Sequence, residues 1–416
     1  MEFKKETFCA AAWFQIRNEH ADGKYRVCCE IDHSKSNFSG EKNLRWPDHA
    51  PEEFFNSDYI QYLRKELNEG KKIPECSSCW KKESVGGKSL RQTLNDTVTN
   101  NQGNNLENTW IKNYFKNKNG YSSDLLLSAD IKTTNICNFS CAMCEPMDSS
   151  KLYTKWVKNS NEPAVKKLLS LKPKNYLNEV KSVYMDKNNR YELLEFILSS
   201  KPKHLKILGG EPLMDEKMFE ILNNFSEKHN IKILFVTNGS KNLCEVSNSL
   251  KDYKDVNYTI SLEGMGKIQD YIREGSIWEQ IKNNILEYKV KYPNNQLSVN
   301  CTIQALNISH MPDLIEWCYT HSIALNLNKL NEPNFLGISS VPPKIKEDII
   351  KKLHNINWSR TELYNTNDYN ISDIRKILEK TSFNKQNFNS LKKYIEWYDP
   401  HKKWKNVIPE WEPYLE

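Results

Sequence analysis

Between residues 121 and 330, short apolar runs alternate with stretches of helical periodicity, and that rhythm leaves few folds open. LLLSADI (125–131), HLKILGG (204–210), IKILFVT (231–237), VNYTISL (256–262), LSVNCTIQA (297–305) and IALNLNKL (323–330) read as strands. Between them, YELLEFILSS and DEKMFEILNNFSEKH carry apolar residues at helical spacing, as at Met218, Leu222 and Phe225. Strand, helix, strand at this pace implies parallel βαβ units, whose right-handed crossovers build a barrel or an open sheet. Two flanks differ in character. Residues 1–120 hold five cysteines and end in an asparagine-rich stretch, NDTVTNNQGNNLEN, that reads as a connector. Residues 331–416 read as a helical extension rich in tryptophan (Trp397, Trp404, Trp411).

The chain has 416 residues, 38% hydrophobic and 11% aromatic, which suffices for a large core. Lysine and arginine number 59 against 53 acidic residues. A formal +6 spread over this length is a mild bias, short of the clustered charge a nucleic-acid footprint needs. No stretch approaches the roughly 20 apolar residues that cross a bilayer. The opening MEFKKETFCAAAWF lacks the apolar core and cleavage site of a secretory signal, so a soluble, cytoplasmic chain is expected. Eleven cysteines in such a setting point to metal or redox chemistry rather than disulfides.

The first barrel strand runs into IKTTNICNFSCAMCEP, where Cys137, Cys141 and Cys144 follow a C-x3-C-x2-C spacing. A [4Fe–4S] cluster is normally held by four thiolates. Three close thiolates with no fourth nearby leave one iron open to a cofactor or substrate. Loops at strand C-terminal ends are also where parallel barrels place their chemistry. The competing reading is a zinc site, although zinc favours two cysteine pairs and no second pair lies near.

This loop resembles that of the radical S-adenosylmethionine (SAM) superfamily, which carries C-x3-C-x-φ-C after the first strand of a partial (β/α)6 barrel. The resemblance implies an α/β fold, a partial (β/α)6 TIM-like barrel of the radical SAM type. It also implies catalytic cysteines at Cys137, Cys141 and Cys144 that hold a [4Fe–4S] cluster with an open iron site for SAM. In the family, reductive cleavage of SAM gives a 5′-deoxyadenosyl radical that takes hydrogen from a substrate. Met143 occupies the φ position, where the family often packs an aromatic near adenine.

Further motifs follow in the family's order. Gly209-Gly210-Glu211-Pro212 looks like the GGEP motif that holds the SAM amine, offering backbone groups and a carboxylate to an ammonium. Thr237-Asn238-Gly239 closes the next strand in a turn, and Asn238 joins the expected cofactor contacts. Ser261-Leu262-Glu263-Gly264, then Arg273-Glu274-Gly275, is similar to the S-x-D-G…R-G pattern of peptide-modifying members. There the serine meets the ribose and the arginine the SAM carboxylate, a role that suits a guanidinium's paired donors. Glu263 stands where the family has aspartate. Gln304, with Asn307 beside it, falls where a polar SAM or substrate contact is expected.

The amino-terminal cysteines form a second set. Cys9, Gly23 and Cys28 read as C-x13-G-x4-C, followed by the pair Cys76 and Cys79. Four such cysteines can hold a cluster or a zinc ion. The arrangement resembles the twitch and SPASM modules that carry an auxiliary [4Fe–4S] cluster, here placed before the barrel rather than after it. Residues 1–120 are thus expected to form a small cysteine-rich cluster-binding domain, 121–330 the barrel and 331–416 the helical C-terminal extension. Cys28 fits the glycine spacing, and its neighbour Cys29 is the other candidate ligand. Cys244, Cys301 and Cys318 read as buried, apolar-like residues. GGKS (86–89) is no P-loop, because the glycine required five residues earlier is Lys82.

The resemblance implies a flavodoxin or ferredoxin as electron donor and a peptide or protein side chain as substrate. Oxidation or epimerisation of a sugar-type or nucleoside-type small molecule is the alternative. A non-catalytic zinc protein is the third reading.

Overall fold

The computed structural model describes residues 6–18, 23–84, 86–100, 128–185, 187–330, 332–354 and 371–416. The start of the first expected strand (125–127) and the end of the amino-terminal region, with the connector's last residues (101–108), lie outside them.

The strands are β1 (Gln15–Asn18), β2 (Ser128–Lys132), β3 (Ser140–Cys141), β4 (His204–Leu208), β5 (Lys232–Thr237), β6 (Asp255–Ser261), β7 (Arg273–Glu274), β8 (Leu297–Ile303) and β9 (Ala324–Lys329). Seven of them form one sheet in the order β1-β2-β4-β5-β6-β8-β9. Every pairing in it is parallel. An order that never doubles back, with helices filling the crossovers, is a curled half-barrel, as the strand–helix rhythm implies. β3 and β7 pair antiparallel as a separate two-stranded clip.

β1 is the unexpected member. It comes from the cysteine-rich segment and joins the barrel's edge, Arg17 opposite Asp130. Only one of its four residues is aliphatic, yet all four are buried. A strand covered on both faces is normally apolar, but here the concave face is polar. Arg17 pairs with Asp130 at 3.2 Å, and Lys206 reaches the same carboxylate at 3.8 Å. The opposite face (Ile16, Ala129, Ile131, Leu205, Ile207, Ile233, Phe235) is buried in the core beneath the helices.

Two helix boundaries differ from the sequence reading. The helix that Asp215 caps ends at Asn224, and Phe225 is already extended (φ −69°, ψ 124°). The first residues of the connector belong to the helix Leu90–Asn100. Its start is a reciprocal cap: Ser89 Oγ accepts from Gln92 N, and Ser89 N donates to Gln92 Oε1. Among the described residues, no helix is long and apolar enough to cross a membrane.

Candidate active site

Cys137, Cys141 and Cys144 lie on one loop between β2 and the helix Ser150–Lys158, which Ser149 caps by accepting from Leu152 N. The loop is held by its own chain. Ser149 Oγ donates to Phe139 O at 2.6 Å, and Cys137 N donates to Ser150 Oγ at 3.2 Å. Lys132, buried at the end of β2, pairs with Asp148 beyond the third cysteine. Burial pushes all three thiols up, Cys141 to about 12; Cys137 adds to the rise at Cys141, and Cys141 and Cys137 add to it at Cys144. The three sulfurs are therefore near enough to feel one another's charge. Among the described residues, no three Cys, His, Asp or Glu side chains gather tightly enough for a single metal ion.

Gly210 fits the loop against the next strand. Its N–H donates to Thr134 O at 2.9 Å, and a Cβ there would lie 2.4 Å from Asn135 O, so no other residue fits. Glu211 N donates to Ile136 O at 2.6 Å. Gly209 likewise abuts Thr134 O. The glycines thus bring the GGEP segment close to the cysteine loop. Pro212 is buried and starts the 3-10 turn Pro212–Met214.

Glu211 is fully buried, and burial raises its pKa. Three donors converge on its carboxylate: Thr237 Oγ1 at 2.6 Å, Asn238 N at 2.7 Å and Leu213 N at 3.1 Å. Its first partners are therefore protein groups rather than an ammonium. Asn238 continues the chain of contacts, donating from Nδ2 to Asn138 Oδ1, inside the cysteine loop, at 2.8 Å. GGEP, TNG and the cysteine loop form one hydrogen-bonded unit.

Arg273 stands at the other side of that loop. Its backbone pairs with Cys141 through β7 and β3. Its Nη2 binds Glu263 at 2.7 Å, and its Nη1 approaches Cys141 Sγ at 3.7 Å. Burial raises Glu263, a shift the guanidinium opposes. Thr302 N (3.0 Å) and Asn307 Nδ2 (3.2 Å) also donate to Glu263, so the acid ties β6 to β8. Arg273 Nε is buried without a partner, as are both amide atoms of the fully buried Gln304. Ser261, half-buried, ends β6, and Met143 packs half-buried within the cysteine loop.

The sequence reading missed a buttress from the C-terminal helix Lys385–Tyr398. Tyr394 OH donates to Ala142 O at 2.7 Å, between two of the cysteines. Tyr398 OH donates to Tyr271 O and Ile272 O, at 3.0 and 3.1 Å. Two tyrosines four residues apart in YIEWY were the available signal.

Residues 131–318 match the family model described as Radical SAM superfamily. They form a radical SAM domain. A probable GTP 3′,8-cyclase of Methanocaldococcus jannaschii is 30% identical over 119 residues, 28% of this chain and 39% of that protein. The chain thus spans well under half of that relative's length. Among solved structures, anSMEcpe with bound AdoMet is 18% identical over 55% of this chain and 59% of its own (TM-score 0.34). Streptococcus suis SuiB is 14% identical over 86% of this chain and 71% of its own (TM-score 0.33). Neither structural likeness is close enough to bear on a substrate.

The amino-terminal cysteines also converge. Cys28 feels the charges of Cys9 and Cys76, and Cys76 those of Cys9 and Cys79. Cys28 is buried, whereas Cys29 is exposed. Cys76 and Cys79 sit in the turn Pro74–Cys76 and the helix Ser77–Ser84. Gly23 has φ 70°, and a Cβ on it would strike Trp46 O. Arg91 lies beside the group, bound to Glu83 by Nε (2.9 Å) and Nη2 (2.8 Å) and to Phe8 O by Nη1 (2.6 Å).

Proposed function

We propose that this protein is a radical SAM enzyme whose Cys137, Cys141 and Cys144 hold a [4Fe–4S] cluster with one iron open to SAM. The observation that carries the reading is the buried, mutually coupled cysteine triad beside Arg273, whose Nε lacks a partner, and Gln304, whose buried amide has none. The fit is chemical as well as spatial. Iron binding would replace the thiol protons and offset the charge of the buried thiolates, and buried unpaired donors favour a polar ligand. When bound, the cluster and SAM would supply a 5′-deoxyadenosyl radical able to take hydrogen from a substrate. The chain's own part is to hold the loop fixed through Gly210, Glu211 and Tyr394. Arg273 and Gln304 then offer donors to SAM, with Asn238, Ser261 and Met143 lining the same loops. We also assign Cys9, Cys28, Cys76 and Cys79 to an auxiliary [4Fe–4S] cluster, because the four feel one another's charge.

The substrate is a peptide or protein side chain in the reading drawn from the S-x-E-G…R-E-G pattern. A second reading, a small nucleoside-type or sugar-type substrate, draws support from the partial match to a probable GTP 3′,8-cyclase. Deuterium transfer from labelled candidates into 5′-deoxyadenosine separates the two.

The deciding experiment is anaerobic reconstitution with iron and sulfide counts and an assay of SAM cleavage under dithionite. About eight irons and release of 5′-deoxyadenosine are expected. Stoichiometric zinc with no sulfide would overturn the reading.

A further inference from the structure

The chain's positive charge is not spread evenly. Between residues 150 and 178 lie seven lysines and a single acid, Glu162, a local excess equal to the whole chain's formal +6. Between 385 and 405 lie six more lysines against Glu396 and Asp399. Far apart in sequence, these segments adjoin in space. Lys167 Nζ, on the helix Pro163–Ser170, donates to Ser390 Oγ on the helix Lys385–Tyr398 at 2.7 Å. Lys155, on the helix Ser150–Lys158, lies over the rings of Trp397 (5.2 Å) and Tyr398 (4.6 Å).

Together these helices frame the cysteine loop. One begins six residues after Cys144, and another sends Tyr394 OH to Ala142 O. Glu274 and Glu145 neutralise Lys155 and Lys172. Lys158, Lys166 and Lys393 are exposed, and none has an acidic partner within ion-pair distance among the described residues. So many unpaired like charges on one face repel one another, a cost that an acidic partner removes.

We propose that this face docks an acidic one-electron carrier protein, of flavoprotein or iron–sulfur type, over the Cys137–Cys144 loop. The proposal rests on the radical SAM reading above, which requires an electron at that loop. In the transfer the carrier is oxidised by one electron and the loop's cluster is reduced by one, with no bond made or broken. An RNA would also suit a basic face. The position favours the carrier, because the charge surrounds the one loop where an electron must enter. Complementary charge raises encounter rates by roughly 10–10³-fold and fades as salt screens it.

The test combines Lys158→Glu, Lys166→Glu and Lys393→Glu in the full chain, with a reduced, strongly acidic flavodoxin as probe. The half-saturating flavodoxin concentration for SAM cleavage is expected to rise at least about tenfold, with dithionite-driven cleavage unchanged. Titration calorimetry at low salt should show wild-type protein binding the flavodoxin and the triple variant failing to bind it. Unchanged flavodoxin dependence in the variant would overturn the proposal. So would loss of binding to bulk transfer RNA with flavodoxin binding intact. If wild-type protein fails to cleave SAM even with dithionite, the enzymatic reading falls, while the calorimetry still decides the docking surface.

Discussion

Arg273 joins the two halves of the candidate site, one nitrogen on Glu263 and another facing Cys141. Glu263 is fully buried, so Arg273→Leu strands its carboxylate without a counter-charge. Removing one partner of a buried pair costs about 3–5 kcal/mol, and urea unfolding of the apoprotein should register a loss of that size. Gln304 predicts the opposite. Its amide is buried with no partner at either end, an arrangement that costs about 1–3 kcal/mol. Gln304→Met should therefore raise the unfolding midpoint of the apoprotein while weakening SAM binding about tenfold or more, measured by equilibrium dialysis. Cys141→Ala should abolish 5′-deoxyadenosine release in a protein that still folds, by circular dichroism. In the sequence, spacing singled out Cys141, and the family resemblance pointed to Glu263, Arg273 and Gln304. Neither could tell that Glu211 meets three protein donors, because Thr237 and Asn238 reach it only through the pairing of neighbouring strands.

Elements show where sequence reading succeeds and why it stops. The strands β4, β5, β6, β8 and β9 were legible, since each packs an apolar row under helices and reads as an apolar run or alternation. β1 was not, because Gln15, Arg17 and Asn18 look like loop until Asp130 supplies a buried partner for the arginine. The C-terminal helix was legible as a helix but not as a brace, since its hydroxyl acceptors lie more than a hundred residues away. Tyr398→Phe leaves the carbonyls of Tyr271 and Ile272 without that donor. It should destabilise the protein by about 1–3 kcal/mol, read by urea unfolding. Phenylalanine keeps the ring's packing, so the loss reports the hydroxyl alone.

At the scale of the whole molecule, two cysteine sets predict two separable loads of iron. Changing Cys76 and Cys79 together to serine should lower the reconstituted iron count from about eight to about four, with SAM cleavage by dithionite retained. The sequence revealed both sets, but not that the segment between Cys9 and Cys28 is laid along the barrel's edge. That seam bears on how the molecule is made. As the chain leaves the ribosome, Gln15–Asn18 emerges about a hundred residues ahead of the strand it must lie against, and closing so long a loop is slow. The amino-terminal region therefore waits, its edge unmatched, for the barrel's first strand. A fragment ending before Ser128 would have nothing to lay that strand upon, so the two regions mature as a single unit.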